Sequence, residues 1–159
     1  PQVDITSEPR NPECNTRTYS DREADVTEYA LEACRGFRDG GMIATAKHFP
    51  GRGFSDVDAH FEVPTINVDK KTMYERELAP YRKLIEDGNL PAIMIAHSIF
   101  PAFDPDNIAT VSKPIITGLL REELGFEGVI LTDDLAMKAV KQYTKDGPPP
   151  FSPSLRATT

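Results

Sequence analysis

Met42-Ile43-Ala44-Thr45-Ala46-Lys47-His48-Phe49-Pro50-Gly51-Arg52-Gly53 is the stretch that decides the architecture. Met42 to Ala46 reads as a short buried strand, too brief and too apolar for a surface helix. It runs straight into two basic side chains and a proline–glycine turn, so polar groups stand where the strand ends. The layout recurs twice downstream. Ala92 to Ala96 is an apolar run ending at His97, and Val129 to Thr132 is another ending at Asp133-Asp134.

Between those runs the period changes. Ser20 and Glu23 have the spacing of a capping box. Behind them Val26, Ala30, Ala33, Cys34 and Phe37 recur at helical spacing, and Gly40-Gly41 closes the element. A second helical pattern runs from Asp69 through Tyr74, Leu78, Tyr81, Leu84 and Ile85 to Gly88, with Pro80 inside it to kink or split it. Ser112 reads as an N-cap and Pro114 as an early helical residue. Ile116, Leu119, Leu120 and Leu124 then form a buried stripe that ends at Gly125. A short helix follows around Met137 to Tyr143, and Val3 to Thr6 is a candidate strand ahead of a Pro/Asn-rich loop. Strand–helix alternation with near-continuous apolar strands predicts an α/β fold, a parallel sheet covered by helices. Polar residues at the C-terminal strand ends of such sheets face the site. One rim therefore collects Lys47, His48, His97, Asp133 and Asp134.

Composition narrows the partners. The 159 residues carry 18 basic and 25 acidic side chains, a formal net charge of −7. That balance argues against a nucleic-acid backbone or an anionic membrane surface as partner. The longest apolar stretch, Leu90 to Phe100, is about half a membrane span and contains Pro91 and His97. No charged start followed by an apolar core is visible, so the reading is cytoplasmic, although the chain opens at Pro1 rather than Met. Cys14 and Cys34 have neither a disulfide framework nor a metal spacing and read as reduced packing residues.

Asp133 is the leading nucleophile candidate, since a buried strand holds it rigidly at the rim. An acid pair at a strand end also suits a metal site or a helix cap. Neighbouring strand residues point to opposite faces, so only one of Asp133 and Asp134 need enter a pocket. Asp58 and His60 form the second feature. An Asp two residues from a His can hold the imidazole in one orientation, as a general acid and base requires; the bland alternative is a solvated loop histidine. Lys47, where a buried strand meets a Gly-rich turn, could donate to sugar hydroxyls or to phosphate, although no Lys-Ser or Lys-Thr completes a phosphate loop. Arg17 is a substrate-binding arginine or a surface charge. His97 fits a hydrogen-bonded core histidine better than a catalyst.

Taken together these segments resemble glycoside hydrolase family 3, in its bacterial β-N-acetylhexosaminidase branch. The match is carried by Lys47 to Gly53 with Asp58-Ala59-His60, by Pro91-Ala92-Ile93-Met94 with Ala96-His97, and by Leu119 to Phe126 with Gly128 to Leu135. The resemblance runs from about Pro1 to about Tyr143. It implies a TIM (β/α)8 barrel of roughly 250 residues, of which this chain offers about half, and a retaining hydrolase that removes terminal β-linked N-acetylglucosamine. Peptidoglycan-derived muropeptides or chitooligosaccharides are the substrates implied. Position by position, Asp133 resembles the family's nucleophile, His60 the branch's acid/base, Asp58 its orienting partner, Lys47 and His48 the sugar-hydroxyl contacts, and Arg17 a substrate-binding arginine. The histidine replaces the second carboxylate of most retaining glycosidases. No metal or organic cofactor is implied, the only partner implied is a small carbohydrate, and oligomeric state is left open. Departures from the branch fall at Arg52 (usually His), Phe54-Ser55 (usually Asp-Thr) and Ala59 (usually Ser). The alternatives are a relative acting on β-glucosides and a truncated, catalytically inactive fragment.

The domain reading is residues 1–146 as a partial catalytic barrel and 147–159 as an aberrant tail. The composition breaks at Gly147-Pro148-Pro149-Pro150-Phe151-Ser152-Pro153. Read one base earlier, the codons for Pro148 to Thr159 permit Ala-Ala-Ala-Val-Leu-Ala-Val followed by an Ala-Gly-Asn-Asp ending, the family's next segment. A frameshift after Asp146 or Gly147 is therefore expected; the alternative is a native disordered proline-rich tail.

Overall fold

The computed structural model describes residues 1–143. The tail expected at 147–159 lies outside the described residues. Strands and helices alternate as the sequence predicts, and the three central strands are parallel. Strand β1 (Thr45–Phe49) pairs with β2 (Ala92–Ile95), and β2 pairs with β5 (Val129–Thr132). Thr45 stands opposite Ala92 and Ala92 opposite Val129, so all three strands point the same way and end at one rim.

Helix α1 (Glu23–Asp39) buries Val26, Ala30 and Cys34, the stripe expected from their spacing, and packs against α3 (Ala79–Glu86). It ends where Gly41 takes φ +71°, an angle that suits a residue without Cβ. The expected capping box does not form. Arg22 stands at the N-cap, while the Ser20 hydroxyl accepts from the Arg22 N–H at 3.1 Å and donates to Asp25 at 3.0 Å. The serine is committed to a local turn two residues before the helix and cannot cap it.

The expected second helix is split as Pro80 requires. Helix α2 (Lys70–Thr72), capped by Asp69, passes through a wide turn at Met73–Glu77 into α3, with the proline in its first turn. The segment Pro114–Glu123 is also wound wider than an α-helix; the Ser112 hydroxyl accepts from Ile115 N–H at 3.2 Å at its start. An antiparallel pair not foreseen in the sequence, β3 (Ile99–Phe100) with β4 (Asp104–Ile108), follows β2. Helix α4 (Lys138–Tyr143) closes the described chain.

Two strand expectations are corrected. The strand expected at Met42 to Ala46 lies three residues further on. Met42 and Ile43 are exposed, at 58% and 78%, and the strand runs through Lys47 and His48. Position relative to the sheet outweighs hydropathy here: the two apolar residues belong to the loop that enters the strand. Val3 to Thr6 forms no strand of its own. One bridge joins Gln2 to Lys47, and Val3 N–H donates to the Lys47 carbonyl at 2.8 Å, so the segment flanks β1 without extending the ladder.

The core lies between the sheet and the helices. Phe49 meets Tyr81 edge to face with ring centroids 5.1 Å apart, and Ile93, Ile95, Leu84, Leu119 and Leu120 fill the space around them. The strand ahead of Asp133, expected to be buried, is not: on β5, Val129 and Leu131 are 56% and 38% exposed and Ile130 and Thr132 are half-buried. Cys14 and Cys34 are buried free thiols, in keeping with their reading as packing residues. No helix among the described residues is long and apolar enough to cross a membrane.

Candidate active site

The parallel register brings the ends of β1, β2 and β5 together, and with them His48, His97 and Asp133. His48 is buried within β1. Its Nδ1 lies 2.7 Å from Asp4 Oδ2, and its Nε2 lies 3.2 Å from Arg52 Nη2 and 3.5 Å from Asp133 Oδ2. A guanidinium can only donate, so Nε2 accepts from Arg52 and the ring hydrogen sits on Nδ1, facing Asp4. Asp4 is fully buried and also accepts from the Arg52 backbone N–H at 2.9 Å. Burial pushes its carboxyl up, but His48 and Arg52 outweigh that and hold it at about 2.

Asp133 follows β5 and is partly buried. Burial raises its carboxyl, while the Asp134 N–H at 2.8 Å and the neighbouring His48, His97 and Arg52 bring it below the usual carboxylate range. It is an ionised, oriented carboxylate. Asp134 turns the other way: it is exposed and accepts from Ala136 N–H at 2.8 Å, starting the turn toward α4. His97 is fully buried, with Nδ1 2.6 Å from the Thr110 hydroxyl and Nε2 3.2 Å from the Asp134 carbonyl, so it ties the end of β2 to the end of β5.

Asp58 and His60 lie on the loop after β1. His60 Nδ1 is 2.7 Å from Asp58 Oδ1, and the same oxygen accepts the His60 backbone N–H at 2.8 Å. Burial works against ionisation of Asp58, yet these hydrogen bonds draw its carboxyl below the usual range. The His60 ring is held on one side by Asp58 and open on the other, with 59% of the side chain exposed. Ala59, between them, is fully buried, and its carbonyl accepts from Ala139 N–H on α4 at 3.3 Å. That bond fastens the Asp58–His60 loop to the segment that follows Asp133.

Lys47 is half-buried in β1, its backbone bonded to Pro1 and Val3. Arg17 ends the short 3-10 turn Asn15–Arg17 and is exposed; its guanidinium donates to the Glu13 carbonyl at 3.3 Å. Four residues around the rim escaped the sequence reading as working parts: Asp4, Glu13, Arg52 and Glu77, all buried. For Asp4 a signal existed, an acid between the apolar Val3 and Ile5. Glu13, Asp58 and His60 each present a donor atom within 4.8 Å of the others, a spacing open to a cation. Both Glu13 oxygens are already engaged, however, one by Arg52 and one by the Ala59 N–H.

The turn after β1 is built without side chains for a reason. A Cβ on Gly53 would stand 1.7 Å from the Ile5 carbonyl oxygen, and one on Gly51, whose φ is +116°, would stand 2.7 Å from Glu77 Cβ. The turn is thus pressed onto Ile5 and Glu77.

Residues 1–153 match the family described as the glycosyl hydrolase family 3 N terminal domain. A curated relative named Beta-hexosaminidase A, from Pseudoalteromonas piscicida, is 34% identical over 154 residues, covering 90% of this chain and 26% of its own length. Among solved structures, a glycoside hydrolase family 3 beta-N-acetylglucosaminidase from Paenibacillus sp. superposes with a TM-score of 0.87 at 43% identity, over 89% of this chain and 27% of that one. A beta-glucoside phosphorylase, BglX, bound to 2FGlc superposes with a TM-score of 0.85 at 31% identity, over 90% and 27%. The chain spans about a quarter of the length of these relatives.

Proposed function

The chain belongs to glycosyl hydrolase family 3, and from that premise we propose that it carries the reacting groups of a retaining β-N-acetylhexosaminidase acting on terminal β-linked N-acetylglucosamine. The observation that supports this best is the Ala59–Ala139 hydrogen bond, which ties the Asp58–His60 loop to the helix that follows Asp133. Residues 1–146 are read as about half of a TIM barrel, and 147–159 as a tail of different origin; resequencing the codons from Asp146 to Thr159 tests the second point.

In this reading the Asp133 carboxylate attacks the anomeric carbon as the glycosidic bond breaks, and an ester between sugar and Asp133 forms. The His60 Nε2–H gives its proton to the departing oxygen, with Asp58 holding Nδ1. Water then attacks the anomeric carbon, His60 takes its proton, and Asp133 leaves as a carboxylate. Lys47 and Arg17 hold sugar hydroxyls, while His48, buried with both ring nitrogens engaged by Asp4 and Arg52, stands against Asp133 instead of reaching the sugar, and the chemistry needs no cofactor. The chosen small partner is a peptidoglycan- or chitin-derived oligosaccharide.

A second reading, action on β-glucosides, rests on the likeness to the beta-glucoside phosphorylase. Side-by-side turnover of chromogenic β-N-acetylglucosaminide and β-glucoside by the protein that carries this chain separates the two. A clear preference for the N-acetylated sugar is expected, and a preference for glucoside would replace the first reading with the second.

A further inference from the structure

We propose that Glu13, through a buried ion pair with Arg52, is a positioning residue that sets where the Asp58–His60 loop stands over the rim. The proposal rests on the reading of His60 as acid and base. Glu13 and Arg52 are shut off from solvent, with side-chain exposures of 4% and 2%, and their carboxylate and guanidinium are in direct contact. The other Glu13 oxygen accepts the Ala59 N–H. Ala59 is the residue between Asp58 and His60, so a single carboxylate joins a buried cation to the middle of the dyad.

Each end of this link is itself fixed. The Asn11 carboxamide oxygen accepts the backbone N–H groups of Glu13 and Cys14 at 3.0 and 2.9 Å, and its nitrogen donates to the Arg52 carbonyl at 2.9 Å. Arg52 is anchored by Asp4 through its backbone and touches His48 Nε2 through Nη2. The other side of Ala59 is held by Ala139 N–H. The loop residue is therefore bolted between Glu13 and α4, while the working ring of His60 stays exposed. A buried ion pair stripped of one partner leaves an uncompensated charge, so the loop cannot drift without a large cost. Of the acids that offset the buried Arg52 charge, Asp4, Glu13 and Asp133, it is Glu13 that meets the guanidinium in an ion pair.

The test is Glu13→Gln and Glu13→Ala in the full protein that carries this chain, with Arg52→Lys as an independent third variant. A displaced acid slows departure of poor leaving groups far more than of activated ones. The expected result is a loss of about tenfold or more in kcat/KM for an alkyl or sugar aglycone, with a loss of less than about threefold for a dinitrophenyl aglycone. A purely structural defect would depress both alike, and that outcome overturns the proposal. His60→Ala separates the two levels: if it shows no such dependence on leaving group, the acid/base reading fails rather than the positioning. Amide hydrogen exchange of the peptide spanning residues 55–62 gives an answer independent of turnover. Faster exchange in the Glu13 variants with unchanged exchange in the sheet is expected, and exchange equal to the parent would overturn the proposal.

Discussion

His48 Nδ1 lies 2.7 Å from Asp4 Oδ2 with both side chains sealed from solvent, and the far side of the same ring faces Asp133 at 3.5 Å. Asp4 therefore orients the histidine nearest the candidate nucleophile from a segment that forms only one bridge to β1. Its carboxyl is held at about 2 in the folded protein, against an ordinary value of 3.8. A depressed folded value gives stability that is present above the unfolded value and is lost as pH falls from about 4 through about 2. Asp4→Asn should lower the melting temperature at neutral pH, at a cost of about 3 kcal/mol as for one partner removed from a buried pair. It should also flatten the acid limb of the stability curve. Thermal melts across pH 2 to 7 check both points, and an unchanged acid limb would count against this account of Asp4.

Glu77 should act in the opposite sense. It is buried beneath the Gly51–Gly53 turn, accepts from Ser7 Oγ at 3.0 Å and Gly53 N–H at 3.3 Å, and burial, with Asp4 nearby, pushes its carboxyl up to about 7. A raised folded value gives stability that is complete below the ordinary 4.5 and is lost as pH rises through about 7. Glu77→Gln keeps an acceptor and removes the ionisation. The variant should gain stability relative to the parent above pH 7 and lose that advantage below about pH 4.5. Paired melts at pH 5 and 8 measure it; equal differences at both would refute it.

Gly53→Ala should abolish stable folding, since the new methyl would meet the Ile5 carbonyl carbon at 2.8 Å and its oxygen at 1.7 Å, both backbone atoms. Gly36→Ala, at a helical position where a Cβ meets nothing within 4 Å, should be neutral or stabilising by up to about 1 kcal/mol. Soluble yield and melting temperature of the two variants check the contrast.

The 159-residue chain expressed by itself should self-associate. Among the described residues strand β5 pairs only with β2, and Val129 on it is 56% exposed. An unpaired strand edge carrying exposed apolar side chains invites further pairing. Light scattering after size exclusion should show oligomers or aggregate, and turnover should be absent. A monomeric peak with a cooperative melt would contradict this.

What the sequence disclosed was the periodic part. The α1 stripe, the split at Pro80 and the apolar runs of β2 and β5 follow from spacing and from residues with fixed backbone demands. The β1 boundary did not, because Met42 and Ile43 look like a strand, and only pairing with β2 shows that the ladder starts at Thr45. Ser20 matched a capping motif but spent its hydroxyl on a nearer amide. At the site, Asp133 and the Asp58–His60 pair stood out because they lie at a strand end or two residues apart. Asp4, Glu13 and Glu77 did not. Each meets its partner across more than twenty residues of chain, as Asp4 meets His48 44 residues away, and no local pattern marks such a contact.

The most direct measurement is peptide mass mapping of the protein that carries this chain after brief reaction with a slow, activated 2-acetamido-sugar substrate. Asp133 as nucleophile predicts one sugar-sized adduct on the peptide containing Leu131-Thr132-Asp133-Asp134, located on Asp133 and absent from Asp133→Asn. Turnover without an adduct on Asp133, or an adduct on another carboxylate, would contradict the account.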